Sequence, residues 1–273
     1  MAVDVDIGPR ADDAYRIVVW TVGAAFDRKY PKLEALDANV IVAPRSANES
    51  RLLRANRTTH TSMVWVGRHV QRGLGALAFG DSRIKLDGRR WDQRLEWVAP
   101  TRVSGAVNHN LLAIWALNER ARVTFRTNPQ RAQAIEMMRL YRSLLTTTTV
   151  VAGNFDDNPV FHRNDPNWDF LEFVARAETA GLRSAYHAYT ELEHGDPREQ
   201  PTRFRPDPGH PHVGHHVDYC FVPTEWLPAL RSVRVGEQSV WAPTVRGEVH
   251  VPLVVDFDLS EVRSFTVARR QAR

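Results

Sequence analysis

The sequence has 273 residues, 43% of them hydrophobic and 25% charged, which is an ordinary mix for one large globular domain or two small ones. A formal net charge of +4 does not by itself indicate a nucleic-acid-binding protein. The single cysteine, Cys220, excludes an intrachain disulfide, and no apolar run reaches the roughly 18–20 residues of a transmembrane helix. These features favour a cytoplasmic protein that makes no membrane contact.

The first part of the chain predicts strands separated by short polar or helical segments. Residues 1–14 are polar and are expected to form a flexible leader, followed by a single domain over residues 15–273. Continuous apolar runs at 16–20 and 39–44 predict strands that are buried on both faces. A helix beginning at Pro31 is expected between them. Further strands are expected at residues 62–67, 73–80, 96–105 and 110–116.

The second part of the chain predicts the longest helix and then a return to strands. Apolar residues at mixed three- and four-residue spacings predict an amphipathic helix over 129–145. A second helix is expected over 168–181, with Gly181 at its C-terminal end. The segment 201–214, rich in Pro and His, is expected to form a long loop. The remaining predicted strands lie at residues 148–153, 184–189, 216–223, 232–236 and 251–259.

This alternation of strands and helices continues from one end of the chain to the other. The sequence contains no internal repeat, no low-complexity linker and no break in composition. The fold class we predict is therefore α/β (α+β), with two packed sheets flanked by helices in one domain.

Five segments in the right order resemble the endonuclease/exonuclease/phosphatase superfamily, which has the deoxyribonuclease-I-like fold. They are VVWTVGA, VIVAPRSANES, VVAGNFDDNP, HHVDYCFVP and GEVHVPLVVDFDL, within a resemblance that spans roughly residues 16–259. The similarity is greatest to bacterial members. It implies a four-layer α/β/β/α sandwich and hydrolysis of phosphoesters with a divalent ion such as Mg²⁺ or Mn²⁺.

Within this resemblance, five polar positions of the family pattern carry different residues. Thr21 stands where the family has Asn, and Arg45 stands where it has a metal-binding Glu. Asn154 takes the place of the Asp that activates the nucleophile, and Asp156 takes the place of an Asn. Val249 replaces the Asp of a Ser-Asp-His motif. Because carboxylates are lost and a permanent cation is gained, no metal cofactor is expected.

Two family positions are retained, and they form the best candidate catalytic unit. The resemblance implies that Asp218 orients His250, which would then act as a general acid or base. The alternative is a remnant hydrogen bond that only stabilises the fold. Arg45 is expected to bind an anion in place of the metal, or to pair with Asp156, which we also assign to the catalytic site. The alternative for Arg45 is a side chain directed to solvent.

The remaining candidates surround this unit. Asp157 fits the turn chemistry of the DDNP segment. Glu248 is a poor replacement for the acid lost at position 249, because adjacent residues of a strand face opposite sides. Three residues are expected to bind the substrate with Arg45: Thr21, Asn154 and His216.

The run GHPHVGHHVDY holds four histidines and raises the question of a separate metal site. They are His210, His212, His215 and His216. Four imidazoles within seven residues are able to bind Zn²⁺ or a redox metal. A polar surface loop is the favoured interpretation, because the Pro and Gly spacing in the run is irregular.

Three functions follow from these residues. The favoured one is metal-independent acid–base chemistry by His250 and Asp218 on a small anionic or polar ligand anchored by Arg45. The second is a weak metal-dependent phosphoesterase or nuclease, in which Asp156 and Asp157 hold Mg²⁺ or Mn²⁺ and Glu248 is a further candidate ligand. This second function allows a nucleic-acid partner, which is not the favoured one. The third is a non-catalytic binding protein that retains the fold.

Overall fold

The protein is represented by a computed structural model that describes residues 6–116, 129–162, 170–207 and 210–268. One six-stranded sheet, sheet A, contains β1 (Ala14–Val19), β2 (Val40–Ser46), β3 (Ser62–His69), β4 (Arg72–Ala78), β13 (Leu230–Val235) and β15 (Leu253–Asp258). Its strand order is β13-β15-β1-β2-β4-β3. The two central strands, β1 and β2, are parallel, and every other neighbouring pair in this sheet is antiparallel.

A second six-stranded sheet, sheet B, has the order β5-β6-β7-β8-β12-β9. Its strands are β5 (Arg83–Leu86), β6 (Val98–Ser104), β7 (His109–Trp115), β8 (Thr149–Asn154), β9 (Leu182–Ser184) and β12 (Asp218–Pro223). Its parallel pair is β7 with β8. A small third sheet has the order β11-β10-β14, from β10 (Arg203–Asp207), β11 (His210–His215) and β14 (Val249–His250).

Sheets A and B pack face to face over a shared apolar core. Ile17 and Val42 from sheet A meet Leu111, Val150 and Val222 from sheet B, and all five side chains are fully buried. These strands are apolar on both faces because each sheet also carries helices on its other side. The predicted arrangement of two packed sheets flanked by helices is confirmed.

Seven α-helices of the described residues surround the two sheets. They are α1 (Phe26–Glu34), α2 (Glu49–Arg54), α3 (Pro129–Leu140), α4 (Phe170–Thr179), α5 (Ala185–Thr190), α6 (Gln238–Trp241) and α7 (Leu259–Ala268). On sheet A, Tyr30 of α1 joins a buried cluster with Ile41 and Val254. On sheet B, Met137 of α3 and Phe173 of α4 bury their side chains in one cluster with the sheet. These three helices cover faces of the sheets that the shared core leaves open, whereas Tyr186 of α5 and Val262 of α7 join the shared core.

The predicted elements that differ from the structure include the helix over 129–145, which ends at Leu140. The first helix begins at Phe26, five residues before the predicted start, and it contains Pro31 in its interior. Residues 184–189 were predicted as a strand, but a helix covers most of them, because six residues of mixed apolar character do not separate the two periodicities. Residues 201–214 were predicted as a loop, but β10 and β11 pair there, with Pro206 at a register shift that tolerates its missing N–H.

The N-terminal segment packs against the domain where the structure describes it. Ile7 is buried, and Asp6 accepts a hydrogen bond from the indole of Trp241. The prediction of a leader over residues 1–14 stays a prediction, although residues 6–13 make such contacts. Among the helices of the described ranges, none is long and apolar enough to cross a membrane.

Candidate active site

The ends of four strands, drawn from all three sheets, meet around the carboxylate of Asp218. Asp218 begins β12 and pairs with Asn154, the last residue of β8. The Asn154 Nδ2 donates a hydrogen bond to Asp218 Oδ1 over 2.9 Å. Thr21, which follows β1, donates its hydroxyl to the same oxygen over 2.6 Å. Thr21 and Asn154 were expected to line a substrate pocket, but both are buried and serve here as donors to Asp218.

The second oxygen of Asp218 accepts a hydrogen bond from His250. The distance from His250 Nδ1 to Asp218 Oδ2 is 2.8 Å. Because an ionised carboxylate only accepts, the proton of this bond is assigned to Nδ1, and Nε2 becomes the ring atom free to exchange a proton. The indole of Trp20 donates to the backbone oxygen of His250 and fixes the short strand β14. The predicted pair is thus brought together in a rigid, buried setting.

The electrostatics of this pair favour ionisation of both partners. Burial disfavours the charged form of Asp218, but His250 and the hydroxyl and amide donors outweigh it and lower the pKa of the carboxyl. Burial also disfavours the imidazolium of His250, yet Asp218 and Glu248 outweigh this and raise the pKa of the ring. The imidazole is therefore a stronger base than an isolated histidine.

Glu248 lies beside the Nε2 atom of His250. Its Oε1 is 3.6 Å from His250 Nε2. Adjacent residues of an extended segment face opposite sides, and residues two apart share a face. Glu248 therefore does not replace the side chain at position 249, but it lies on the same face as His250. Val249 faces the other way and packs against the apolar cluster under sheet A. The two-residue spacing between Glu248 and His250 was the sequence feature that indicated this contact.

Arg45 pairs with Glu248 rather than with Asp156. Arg45 Nη1 donates to Glu248 Oε1 over 2.8 Å, and Arg205 Nε donates to Glu248 Oε2 over 2.7 Å. Asp156 is instead held by Arg203, and Arg205 lies 3.8 Å from it. The predicted pairing of Arg45 with Asp156 is therefore wrong, because β10 supplies two closer guanidinium groups. We call the following five residues the mouth cluster: Arg45, Asp156, Arg203, Arg205 and Glu248.

Two members of the mouth cluster have unusual backbones. Arg45 has φ +58° and Asp156 has φ +50°, in the left-handed region that few non-glycine residues adopt. The pairing of β2 with β4 shifts register between Pro44 and Ser46, so Arg45 is a bulge residue whose side chain is redirected. Such backbone strain is concentrated at functional sites.

Gly153 is required by the close approach of β7 and β8. Its φ is +150°, and a Cβ at this position would lie 1.8 Å from the carbonyl oxygen of Ile114. Only glycine lets the strand end in this way and deliver Asn154 to Asp218.

The turn after β8 is built by the two residues that follow Asp156. Asp157 Oδ1 accepts a hydrogen bond from the backbone N–H of Asn158 over 2.9 Å. The hydroxyl of Tyr219 donates to the backbone oxygen of Asp157. The predicted turn role of Asp157 agrees with this geometry, and its side chain is buried rather than directed to the mouth cluster.

His216 lies apart from the mouth cluster. Its Nδ1 donates to the backbone oxygen of Gln200 over 2.8 Å, and its ring packs 4.2 Å from that of Tyr186. The expectation that His216 binds substrate beside Arg45 does not fit this buried position. His212 contacts Phe204 edge-on and His215 contacts Phe161, and among the described residues no metal-capable group includes a histidine of the His-rich run.

The mouth cluster does not fit the divalent ion that the resemblance implies. Its two carboxylates, Asp156 and Glu248, are each held by guanidinium groups, and a permanent cation, Arg45, lies within bonding distance of Glu248. A hard cation needs several free oxygen ligands, which this set does not offer. Among the described residues, the one group of His, Cys, Asp and Glu close enough for a metal lies elsewhere.

Two members of the mouth cluster were missed by sequence reasoning. Arg203 and Arg205 come from the segment predicted as a loop, and their two-residue spacing puts both on one face of β10. The side chain of Arg203 is 3% exposed and lies over the ring of Phe161, whereas that of Arg205 is 51% exposed. Predicting the hairpin of β10 and β11 from the sequence would have shown that the two arginines share a face.

No protein-family model matches the sequence, and a search of curated proteins gave no significant match. Solved structures do match. A 3′ phosphatase from Neisseria bound to a product DNA hairpin is 16% identical, with a TM-score of 0.63 over 89% of this chain and 99% of that one. An AP endonuclease from Archaeoglobus fulgidus is 13% identical, with a TM-score of 0.62 over 89% and 99%.

A third match is an endonuclease/exonuclease/phosphatase protein from Beutenbergia cavernae. It is 16% identical, with a TM-score of 0.56 over 90% of this chain and 72% of that one. At these identities the matches establish the fold alone. The chain has the deoxyribonuclease-I-like fold of the endonuclease/exonuclease/phosphatase proteins, as the five sequence segments predict.

Proposed function

We propose that this protein carries out metal-independent acid–base chemistry on a small anionic or polar ligand. His250 transfers the proton through Nε2, Asp218 orients the ring, and Arg45 binds the ligand. Thr21 and Asn154 act behind this pair, because their hydrogen bonds keep Asp218 ionised and in place. Asp156 acts on the ligand side by positioning Arg203 and Arg205.

The observation that carries this proposal is the position of the Glu248 carboxylate. It is an oxyanion that accepts from Arg45 and Arg205 and lies beside His250 Nε2. A carboxylate or phosphate ligand has the same chemistry and would form the same charge-assisted hydrogen bonds. Glu248 is 28% exposed, so its side chain has room to swing toward solvent when a ligand takes its place.

Proton transfer needs this exchange. With Glu248 in place, the His250 side chain is only 2% exposed and its Nε2 is covered. An anion that replaced Glu248 would bring its own leaving group or acidic proton to the same nitrogen, within hydrogen-bond reach. The two arginines would stabilise negative charge that develops on it.

The binding half of the proposal is tested with inorganic phosphate. Calorimetric titration in the presence of a chelator should show saturable binding to the wild type. Glu248→Gln should tighten binding by about tenfold or more, since it frees two charged hydrogen bonds of about 1.5–3 kcal/mol each. Arg45→Gln should weaken binding. Arg102→Gln, which changes an exposed arginine of β6, is the matched control and should leave binding unchanged.

The catalytic half is tested with p-nitrophenyl phosphate and its diester. Turnover in chelator that is abolished in His250→Gln, with phosphate binding retained, supports the proposal. Turnover that survives His250→Gln contradicts the assigned proton-transfer group. Phosphate binding without turnover of any small anionic substrate would favour a non-catalytic binding protein.

A weak metal-dependent phosphoesterase is the second candidate, and the names of the matched structures favour it. A DNA-bound 3′ phosphatase and an AP endonuclease share this fold. For this chemistry Asp156 and Glu248 would have to exchange their arginine partners for Mg²⁺ or Mn²⁺. Saturable Mg²⁺ binding together with Mg²⁺-dependent diesterase activity that Asp156→Ala abolishes would establish this function in place of the first.

A further inference from the structure

A second group of polar side chains lies outside the mouth cluster, between α5 and β10. His187 belongs to α5, and His194 and Glu199 lie in the segment that follows it. One nitrogen of each imidazole and one oxygen of the carboxylate all lie within 4.8 Å of one another. We call these three residues the His-His-Glu group. Their separation suits ligands that surround a single ion.

Both imidazoles are held in the neutral form that binds metals. Burial lowers the pKa of His187 to about 4. Burial, and then the neighbouring His187 ring, lower the pKa of His194 to about 3. The rings are stacked with centroids 3.6 Å apart. At neutral pH each ring therefore carries an unprotonated nitrogen with a lone pair.

The group contains a buried nitrogen without a partner. His194 Nδ1 is shielded from solvent and has no hydrogen-bond partner within the described part of the chain. Leaving a buried polar atom unpaired costs about 1–3 kcal/mol, so native structures rarely contain one without a reason. A bound ion would supply the missing partner.

The other two members are oriented from outside the group. The hydroxyl of Ser184 lies 2.8 Å from His187 Nδ1, which directs His187 Nε2 to Glu199 Oε1 at 2.8 Å. Asn158 donates to the second oxygen of Glu199 over 2.7 Å. Metal-binding histidines and carboxylates are held by outer hydrogen bonds of this kind.

We propose that His187, His194 and Glu199 bind a zinc ion. Two imidazole nitrogens and one carboxylate oxygen favour Zn²⁺ over the hard ions Mg²⁺ and Ca²⁺. The ion takes the place of the hydrogen bond between His187 and Glu199, and a water molecule fills the fourth tetrahedral position. The site ties the segment after α5 to the turn after β8 through Asn158, and it is independent of the function proposed for the mouth cluster.

The test is zinc binding by the purified, chelator-stripped full chain. Calorimetric titration with Zn²⁺ should show saturable binding of one ion per chain, and Co²⁺ should give the visible absorption bands of a tetrahedral site. Zn²⁺ should also raise the melting temperature. The absence of a saturable Zn²⁺ isotherm in the wild-type chain overturns the proposal, whatever the variants do.

Variants identify the ligands. His194→Asn and Glu199→Gln should abolish the Co²⁺ bands, and Ser184→Ala should weaken Zn²⁺ binding by about 10–100-fold. His212→Asn, which changes a histidine of the His-rich run, is the matched control and should bind Zn²⁺ like the wild type. If His212→Asn loses the ion and His194→Asn keeps it, the ion belongs to that run and the proposed site is wrong. Circular dichroism of the stripped variants checks that each one folds.

Discussion

The two ends of β1 carry ion pairs of opposite character. At its start, the fully buried Arg16 forms two hydrogen bonds to Asp256, over 2.6 and 3.0 Å, and donates to backbone oxygens nearby. Beyond its other end lies the mouth cluster, where Arg45, Arg205 and Glu248 have side chains that are 32%, 51% and 28% exposed. Arg16 is enclosed and donates to several oxygen acceptors, whereas Arg45 and Arg205 contact solvent.

This difference separates a pair that supports the fold from a cluster that is able to exchange partners. Once Asp256 is removed, Arg16 keeps its bonds to backbone oxygens, but its charge is left uncompensated in surroundings that exclude water. Arg205 shares its guanidinium between Glu248 and Asp156 and keeps half of its surface in water. Strong consequences for stability are therefore expected at the first end of β1, and strong consequences for binding at the second.

The largest change in stability is expected for Asp256→Asn. Removing one partner of a buried pair leaves an uncompensated charge, so the free energy of unfolding should fall by about 3–5 kcal/mol. Urea denaturation of the variant and the wild type measures this. Asp13→Asn, at an exposed pair with Arg231, is the control and should change unfolding little. Equal effects in both variants would contradict the assigned role of burial.

Asp256 also gives this comparison a pH dependence. Burial disfavours its ionisation, but Arg16 and Arg234 outweigh burial and lower the pKa of the carboxyl below 3.8. The group therefore contributes stability that is present above pH 3.8 and is lost as the pH falls through the folded-state pKa. The acid limb of the wild-type stability curve should be steeper than that of Asp256→Asn.

His250→Gln is expected to lower stability by an intermediate amount, with a pH dependence opposite to that of Asp256→Asn. Its raised pKa means that the bond to Asp218 contributes fully below pH 6.5 and is lost as the pH rises through the folded-state pKa. Below pH 6.5 the variant should be about 1.5–3 kcal/mol less stable, the usual contribution of a charged hydrogen bond. Thermal unfolding across pH, taken as wild type minus variant, measures the difference.

His109→Gln supplies a control of opposite sign. His109 bonds to the Tyr15 hydroxyl in the shared core, where burial lowers its pKa to about 4. The wild type should therefore lose stability relative to this variant as the pH falls below 6.5, because the unfolded chain then binds the proton more strongly. A His250→Gln difference curve with the same slope as that of His109→Gln would show that His250 is not held as an imidazolium.

The sheets and the buried pair of the site could be predicted from sequence, whereas the mouth cluster could not. Continuous apolar runs identify strands such as β1 and β8 because both faces of each sheet are covered. The contact of Asp218 with His250 followed from the resemblance. Arg203 and Arg205 were hidden because Pro206 and the following Pro-Gly pair are typical of a loop, and only pairing with β11 and β14 makes that segment a strand.

The same reasoning explains the histidines. Adjacency in sequence drew attention to His212 and His215, but His212 contacts Phe204 whereas His215 contacts Phe161. His187 and His194 are seven positions apart, and their stacking depends on where the chain turns after α5. Contacts of this kind are set by loop geometry, which no periodicity in the sequence reports.

The smallest change in stability, with the clearest change in binding, is expected for Arg205→Ala. An exposed ion pair contributes about 0.2–1 kcal/mol to stability, because water screens the charges and forming the pair restricts the side chains. The free energy of unfolding should therefore fall by less than about 1 kcal/mol, far less than in Asp256→Asn. Phosphate affinity, measured by calorimetry in chelator, should nevertheless drop by about tenfold, since one charge-assisted donor is removed from the mouth cluster. Arg83→Ala is the control for the loss of a positive charge and should retain phosphate binding. Arg83 is an exposed arginine of β5, and among the contacts described it donates only to backbone oxygens. A large loss of stability without a change in phosphate affinity would mean that the mouth cluster, like the pair at the start of β1, only supports the fold.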